Sequence, residues 1–190
     1  MSPSGVEIER KFRLRAAPDP EVLAAHGAVA KRIEQVYLRR ERATATAGEP
    51  SDAAHPADAN DGVGRVRRTE LPDGSVSYRS NTKRRVGAFA FDEREEAIGP
   101  VEWAAALERA DPDRRPVRKT RHVVPHGAQS LEIDVFEEPA GLVVVEVELG
   151  SEDEAVELPA WLGEWREVTG DQRYFNASLA RRGAEVPPFD

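Results

Sequence analysis

Charged side chains alternate with apolar ones in five short stretches of this sequence. Alternate residues of a β-strand point to the same face, so each charged set would stand on one side of its strand. The charged members are Glu7, Glu9 and Lys11, then Arg65 and Arg67, Lys119 and Arg121, Glu132 and Asp134, and Glu146 and Glu148. If these strands share one sheet, one of its faces is apolar and the other carries both signs of charge. This pattern predicts a pocket for a highly charged ligand and a metal ion.

The basic residues have the chemistry to bind a polyanion. Arginine guanidinium groups match phosphate oxygens two at a time, and charge-assisted hydrogen bonds of this kind are about twice as strong as neutral ones. Six side chains would together form a ring of cationic donors: Arg65, Arg67, Lys83, Arg85, Lys119 and Arg121. We therefore expect phosphate groups to bind against this ring.

The acidic residues provide oxygen ligands, which Mg²⁺ and Mn²⁺ prefer. The candidates are Glu7, Glu9, Glu93, Glu95, Glu132, Asp134, Glu146 and Glu148. Like charges packed this closely oppose joint ionisation unless cations lie between them. A metal ion on one wall of the pocket and a phosphate chain on the other would balance both sets of charge.

In the stretch 89–98 both faces of the strand would carry charge. Glu93 and Glu95 lie on one side, and Arg94 and Glu96 lie on the other, so the pattern alone does not say which pair faces the site. We place Glu93 and Glu95 on the charged face. A single Glu-x-Glu or Arg-x-Arg on a strand is ordinarily a solvated surface. Five such sets, with apolar residues on the reverse side, favour a shared site.

The alternation and the turn residues predict eight strands and a few helices along the chain. The strands are expected at 6–14, 31–42, 65–71, 75–83, 89–98, 118–124, 130–136 and 142–149. The helices are expected at 21–26, 100–110, 151–162 and 171–182, with Ser151 and Asp171 as N-caps of the last two. Residues 44–64 lack periodicity and predict a mobile loop within a single domain, 1–190.

These elements predict an α+β fold that is mainly β, with mostly antiparallel strands. About eight strands can close around an interior that holds side chains or one small ligand. Either the charged face meets solvent on an open sheet, or it lines a wet bore while helices cover the apolar exterior. We favour the second, an eight-stranded antiparallel closed tunnel with a charged interior and a few flanking helices.

Composition narrows the classes of partner. The net charge of −8 argues against nucleic-acid binding, which draws most of its affinity from a basic surface. The chain contains no cysteine, which fits a reducing cytosol. It also lacks an apolar run of about 20 residues and the apolar core of a signal peptide. We therefore expect a cytoplasmic protein with neither a nucleic-acid nor a membrane partner.

The opening Val6-Glu7-Ile8-Glu9-Arg10-Lys11-Phe12 resembles the Glu-x-Glu-x-Lys signature of the CYTH superfamily, also called the triphosphate tunnel metalloenzymes. The resemblance continues in the family's order through Gln35-x-Tyr37-Leu38, Arg65-Val66-Arg67, Thr82-Lys83, Lys119-Thr120-Arg121, Glu132-Ile133-Asp134-Val135-Phe136, Val145-Glu146-Val147-Glu148-Leu149 and the closing Glu167 to Asn176. It spans nearly the whole chain. Two features depart from the family: Gln172 and Arg173 follow the closing Gly-Asp where many relatives carry lysine, and the strand that holds Glu93 and Glu95 departs from the usual spacing. The loop at 44–64 has no counterpart in the family pattern.

The resemblance implies an eight-stranded antiparallel tunnel that binds a triphosphate with a divalent metal, Mg²⁺ or Mn²⁺. The expected substrate-binding residues are Lys11, Arg65, Arg67, Lys83, Arg85, Lys119, Arg121 and Arg173. The expected metal ligands are Glu7, Glu9, Glu95, Asp134, Glu146 and Glu148. Glu7, Glu9 and Lys11 are the expected catalytic residues.

The expected activity is that of a metal-dependent hydrolase of triphosphate substrates, with inorganic triphosphatase first. A class IV-type adenylate cyclase and a thiamine triphosphatase are enzyme alternatives. A polyphosphate-binding module without catalysis is the alternative of another class. The expected partner is a small-molecule triphosphate or polyphosphate, and a homodimer is left open as the assembly.

Overall fold

The computed structural model of the protein describes residues 5–39, 64–85 and 90–189, with side chains for all of these except 5–7, 82–85 and 90–93. Its strands are β1 (Gly5–Leu14), β2 (Val29–Tyr37), β3 (Gly64–Glu70), β4 (Val76–Arg85), β5 (Ala90–Ile98), β6 (Val117–His126), β7 (Gln129–Glu138), β8 (Val143–Leu149) and β9 (Trp165–Glu167). Its α-helices are α1 (Pro20–Ala25), α2 (Pro100–Leu107) and α3 (Asn176–Leu179). Two 3₁₀ turns, Ala160–Leu162 and Gln172–Tyr174, complete the described elements.

All described strands belong to one antiparallel sheet, in the order β5-β4-β3-β2-β6-β7-β8-β1-β9. β5 also pairs with β1, from Gly5 opposite Glu93 to Ile8 opposite Ala90. A strand has two hydrogen-bonding edges, and β8 occupies one edge of β1 from Ile8 to Arg13. β5 and β9 therefore share the other edge, at opposite ends of β1.

The outer face of the sheet carries apolar clusters that are covered by helices and by the C-terminal part of the chain. Phe12, Leu131 and Val145 pack there against Leu23 of α1 and Leu162 of the first 3₁₀ turn. Asp19 caps α1, since its side chain accepts a hydrogen bond from the backbone N of Glu21 at 2.7 Å. Gly27 ends this helix region with a φ of 71°, which glycine adopts without steric cost.

Helix α2 covers the outer face of β2 and β3. Trp103 is its buried residue, and it packs in one cluster with Val36 and Val66. The spacing of apolar residues in the sequence predicts instead that Val101, Ala104, Ala105 and Leu107 form the apolar face of this helix. Val101 is 77% exposed and Leu107 is 40% exposed, so that expectation is wrong. The large indole ring determines the buried side of this two-turn helix.

The inner face changes character along the strands. One half carries the charged residues of the alternating sets. At the other half, next to the buried inward arginine Arg13, four inward positions are apolar: Tyr37, Val117, Phe136 and Val144. These four pack against residues of the C-terminal segment, namely Val168, Tyr174, Ala177, Leu179 and Ala180. We call this packed region the apolar plug.

The structure corrects the predicted element count and the predicted end of the chain. The described residues contain nine strands, because the three-residue β9 adds to β1. The helix predicted at 151–162 is wrong except for a 3₁₀ turn at its end, and Ser151 caps no helix. The helix predicted at 171–182 is a 3₁₀ turn followed by the four-residue α3. Asp171 does cap the 3₁₀ turn, through the backbone N of Arg173 at 3.0 Å.

The mainly antiparallel α+β class is as predicted. The loop predicted at 44–64 lies outside the described residues except for Gly64, which begins β3. Among the described parts of the chain, no helix has the length and apolar character needed to cross a membrane.

Candidate active site

A cavity of about 470 Å³ lies against the charged half of the inner face. Seven of its lining residues are basic: Lys11, Lys31, Arg65, Arg67, Arg79, Lys119 and Arg121. Five are acidic: Glu9, Glu95, Glu132, Glu146 and Glu148. Leu71, Ser77 and Arg79 are exposed lining residues, so the cavity opens to solvent beside the β3–β4 turn.

The register of β1 and β8 brings opposite and like charges together at this cavity. Lys11 lies directly opposite Glu146, and Glu9 lies directly opposite Glu148. Residues in such positions have Cβ atoms about 5 Å apart, and a like-charged pair there is unfavourable. Glu9 and Glu148 therefore form a place that favours an added cation.

Lys11 is nearly buried and interacts with two carboxylates. Its Nζ is 2.7 Å from Oε1 of Glu146 and 3.9 Å from Oε1 of Glu9. Burial alone would lower the pKa of Lys11, but the charges of Glu146 and Glu9 raise it above its usual value. For Glu146, burial acts to raise the pKa, and Lys11 and Arg121 together hold it well below its usual range. Both groups are therefore ionised at neutral pH.

Arg121 joins three carboxylates on β7 and β8. Its Nε and Nη2 are each 2.7 Å from an oxygen of Asp134, which is a bidentate pair. Its Nη2 also lies 2.5 Å from Oε2 of Glu146, and its Nη1 donates to Glu132. Burial lowers the pKa of Arg121, but Asp134 and Glu146 raise it well above its usual value. The guanidinium plane is thus held on several sides at once.

Lys119 lies beside Arg121 and is only 2% exposed. Its Nζ donates to Oδ2 of Asp134. Burial lowers the pKa of Lys119, and nearby Arg121 lowers it further, against the opposing effect of Asp134. An anion that enters the cavity near Lys119 would therefore meet a cation that lacks full charge compensation.

The opposite wall of the cavity is formed by β3, β4 and β5. Arg67 donates to Oε1 of Glu95, and Nη1 of Arg79 lies 3.4 Å from Oε2 of the same carboxylate. The predicted register of the 89–98 stretch is confirmed at Glu95, because Glu95 lines the cavity while Arg94 and Glu96 are exposed.

The inner end of the cavity is bounded by the C-terminal segment. Phe175, the N-cap of α3, and Asn176, the first residue of α3, line the cavity, and the apolar plug lies next to them in sequence. The Nζ of Lys11 lies 5.7 Å from the centre of the Phe175 ring, within cation–π range. Gln35, which is 2% exposed, also lines the cavity.

Ten of the predicted site residues meet at this cavity: Glu9, Lys11, Arg65, Arg67, Glu95, Lys119, Arg121, Glu132, Glu146 and Glu148. Four others, Glu7, Lys83, Arg85 and Glu93, have side chains outside the described set, although their backbone lies in β1, β4 and β5. Sequence reasoning assigned no site role to Lys31, Arg79 or Gln35, although each alternates in step with inward residues of its strand. Phe175 carries no comparable pattern.

Two predicted site residues lie elsewhere. Asp134 is fully buried, does not line the cavity, and uses both oxygens to accept hydrogen bonds from Lys119 and Arg121. In this arrangement its carboxylate holds two cations in place. Arg173 also lies away from the cavity lining, with a side chain that is 65% exposed and bonded to Asp171. The neighbouring carboxylate accounts for the position of its guanidinium group.

Comparisons with known proteins bear on this site. No family model matches the sequence. A curated inorganic triphosphatase of Acetivibrio thermocellus is 39% identical over 66 residues, which make up 34% of this chain and 41% of that protein. The matched region thus spans less than half of that relative's length.

Two crystal structures match nearly the whole chain. One, of the inorganic triphosphatase NE1496, has 29% identity over 96% of this chain and 100% of that chain, with a TM-score of 0.53. The other, of the hypothetical protein NE1496, has 30% identity over 95% of this chain and 99% of that chain, with a TM-score of 0.52. The chain belongs to the CYTH superfamily, the triphosphate tunnel metalloenzymes.

Proposed function

We propose that this chain is a divalent-metal-dependent inorganic triphosphatase that hydrolyses tripolyphosphate to pyrophosphate and phosphate. The observation that carries the proposal is one cavity lined by seven basic and five acidic side chains. An excess of cations suits a polyanion, and carboxylates beside it suit the metal ion that accompanies phosphate chains. The similarity to the inorganic triphosphatase NE1496 over both chain lengths supports the same reaction.

A closed tunnel is part of the proposal. β5 pairs with β4 and with β1, so β1 to β8 would enclose the cavity on all sides while β9 lies outside this ring. An interior formed by eight strands has room for one small ligand. Side chains from many strands would then reach the same phosphate chain from different directions.

The basic residues would bind the phosphate oxygens. We assign this role to Lys11, Arg65, Arg67, Lys119 and Arg121, which line the cavity. Lys83 and Arg85 are proposed for the same role from their positions in β4. Fixed cations that face developing negative charge stabilise a phosphoryl-transfer transition state without reorganisation, and such positioning provides most of the catalysis in this chemistry.

The donor set fits Mg²⁺ or Mn²⁺. Among the described residues no group of three or more histidine, cysteine or acidic side chains is arranged to hold a metal ion. Mg²⁺ commonly takes only one or two carboxylates, and completes its octahedron with water and substrate phosphate oxygens. Glu9 and Glu148, opposite each other on β1 and β8, fit this role, with Glu7 as a further proposed ligand. When bound, such a metal ion would neutralise charge on the phosphate chain.

Hydrolysis would proceed by attack of water on a terminal phosphorus atom. The bond from that phosphorus to the bridging oxygen breaks, pyrophosphate leaves, and the proton of the attacking water passes to a carboxylate. We assign Glu9 as the residue that orients this water, with Glu7 as the second proposed catalytic carboxylate. Lys11, held beside Glu9 and Glu146, would stabilise charge on the transferred group.

The proposal is tested by phosphate release from tripolyphosphate with Mg²⁺, with Mn²⁺ and with a chelator. We expect release only with metal, and a loss of about 100-fold or more for Glu9→Gln and Lys11→Met, because each removes a preorganised charge. Arg173→Gln is the control, since that side chain lies outside the cavity and is expected to leave the rate unchanged. A wild-type rate equal to that of buffer with every metal would contradict the proposal.

The same experiment separates the alternatives when ATP and thiamine triphosphate join the panel. Cyclic AMP formed from ATP would identify an adenylate cyclase, and a strong preference for thiamine triphosphate would identify a thiamine triphosphatase. Tight binding of tripolyphosphate without release of phosphate would identify a polyphosphate-binding module. We propose a free small-molecule substrate and a cytoplasmic location.

A further inference from the structure

Gln35 is a buried amide on the inner face of β2 that the proposed reaction does not yet use. It is 2% exposed and lines the cavity. Its side-chain nitrogen has no hydrogen-bond partner among the described residues. Buried polar groups in folded proteins nearly always have partners, and each exception requires an explanation.

The neighbours of Gln35 explain why the protein itself does not satisfy this donor. The residues directly beside it on the adjacent strands are Arg67 on β3 and Val117 on β6. Neither side chain has an acceptor atom, because a guanidinium group only donates and valine is apolar. The acidic residue near this wall, Glu95, already accepts from Arg67 and Arg79. Neither directly opposite side chain can thus satisfy Gln35, and the cavity that it lines is open to an acceptor from a ligand.

The position of Gln35 indicates which part of a ligand it would meet. Its neighbour Val117 belongs to the apolar plug, and its neighbour Arg67 belongs to the charged lining. Gln35 thus lies where the charged half of the inner face gives way to the apolar half. A phosphate chain that enters beside the β3–β4 turn would reach this level with its innermost group.

We propose that Gln35 is a substrate-binding residue whose amide donates a hydrogen bond to an oxygen of the innermost phosphoryl group. The terminal torsion of a glutamine side chain is soft, so a rotation there can direct the amide nitrogen into the cavity. The contact adds a donor without adding charge to a wall that is already strongly basic. This inference rests on the proposed function for the phosphate chemistry of the ligand.

The test compares ligand binding with the stability of the ligand-free protein. Gln35→Met keeps the approximate size of the side chain and removes its donor. Tripolyphosphate binding is measured by titration calorimetry in the presence of a chelator, so no hydrolysis contributes to the result. We expect the dissociation constant to rise about 10-fold or more, the effect of losing a hydrogen bond to a charged group. The ligand-free variant should melt at the same temperature as the wild type or higher, because an unpaired buried amide has been removed.

A matched substitution distinguishes this role from a structural one. Gln129→Met removes an amide that is already satisfied, since its nitrogen donates to Glu154 at 2.6 Å on the rim of β7. We expect that variant to bind tripolyphosphate like the wild type, whether or not its melting temperature falls. Gln35→Glu, which replaces the donor with a negative charge, should weaken binding more than Gln35→Met does.

Each other outcome has a defined meaning. If Gln35→Met melts lower and binds tripolyphosphate as tightly as the wild type, Gln35 is structural and the inference is wrong. If it melts higher with unchanged binding, the amide serves only water and the inference is also wrong. If the wild-type protein fails to bind tripolyphosphate with the chelator but releases phosphate from it with metal, the proposed function stands and the metal-free contact assigned to Gln35 is wrong. If it neither binds tripolyphosphate nor releases phosphate with any metal, the proposed function fails, and the role of Gln35 fails with it.

Discussion

The two halves of the inner face show how one alternating pattern can serve two purposes. On β6, Lys119 and Arg121 line the cavity, whereas Val117, two residues earlier on the same face, packs into the apolar plug. On β7, Glu132 lines the cavity and Phe136 lies in the plug. The same strands therefore hold a charged, solvent-accessible half for binding and a packed half that forms its inner boundary.

Along each of these strands, the residues that stabilise the fold are therefore separated from the residues that bind and react. Burial of apolar side chains in the plug stabilises the fold without any ion pair. Charges in the cavity half oppose folding when they are unpaired, and here they are held by cross-strand partners such as Lys11 and Glu146. Substitutions in the plug should therefore affect unfolding, and substitutions in the cavity should affect binding and rate.

The largest expected effect is at Asp134, which links the two halves. Asp134→Ala leaves the buried cations of Lys119 and Arg121 without their shared partner. Loss of one partner from a buried ion pair costs about 3–5 kcal/mol of unfolding free energy, and we expect a loss in this range by urea denaturation. Activity should fall too, because the two cations lose their positions.

The matched control for Asp134 is Glu164→Ala, which breaks the exposed pair with Arg15. Water screens such an exposed pair, so this variant should unfold nearly like the wild type. Equal unfolding midpoints for Asp134→Ala and Glu164→Ala would contradict the role assigned to Asp134.

A second substitution isolates the plug. Leu179→Ala removes most of a side chain that is 1% exposed and belongs to the plug. We expect a loss of roughly 3 kcal/mol in unfolding free energy, from lost burial and the cavity left behind. Because Leu179 does not line the cavity, the rate of phosphate release well below the melting temperature should stay within about threefold of the wild-type rate. If Leu179→Ala lost much of its rate under conditions where it is fully folded, the plug and the cavity half would not be independent of each other.

The complementary substitution isolates the charged half. Lys119→Met removes a buried cation that burial disfavours, while Arg121 remains as a partner of Asp134. We expect a change in unfolding free energy of less than about 1.5 kcal/mol, as for volume-conserving replacements in cores. The rate of phosphate release should fall by about 100-fold, the usual effect of removing one preorganised charge. If Lys119→Met strongly destabilised the protein while the folded fraction kept the wild-type rate, Lys119 would serve stability rather than chemistry, which contradicts the comparison.

The smallest expected effect is on the outer face, at the pair of Arg10 and Glu167 between β1 and β9. A hydrogen bond from Arg10 lowers the pKa of Glu167, so the ionised carboxylate stabilises the folded state. This contribution is present above the ordinary carboxyl pKa of about 4.3 and is lost as the pH falls through the lower folded-state value. Both side chains are partly exposed, so at most about 1 kcal/mol is involved.

Urea denaturation of the wild type and Glu167→Gln at pH 7 and pH 3 measures this effect. The difference in unfolding free energy between the two proteins should be greater at pH 7 and shrink at pH 3. A difference that grows as the pH falls would contradict the assigned direction.

Alternation along strands predicted which face each residue occupies, but not its depth. Glu132 and Asp134 share one face of β7, and both were expected to act through their carboxylates. Only Glu132 reaches the cavity, because Arg121 and Lys119 enclose Asp134. Depth depends on the stagger between neighbouring strands, which local periodicity does not contain.

The C-terminal part of the chain was the least predictable from sequence. Apolar residues at 171–182 are spaced as in a helix, yet only Asn176–Leu179 is α-helical. Tyr174 and Leu179 are placed by packing against residues such as Phe136, which lies far away in sequence. The three residues of β9 are too few to show alternation, so the ninth strand could not be read from its own sequence.

The central claim is that charged side chains of several strands converge on one cavity and hold a phosphate chain there. A crystal structure with tripolyphosphate and Mg²⁺ tests it most directly. We expect electron density for the phosphate chain between Lys11, Arg67 and Lys119, with its innermost phosphoryl group beside Gln35. Density for tripolyphosphate only on the outer surface of the protein, with the cavity filled by water alone, would contradict it.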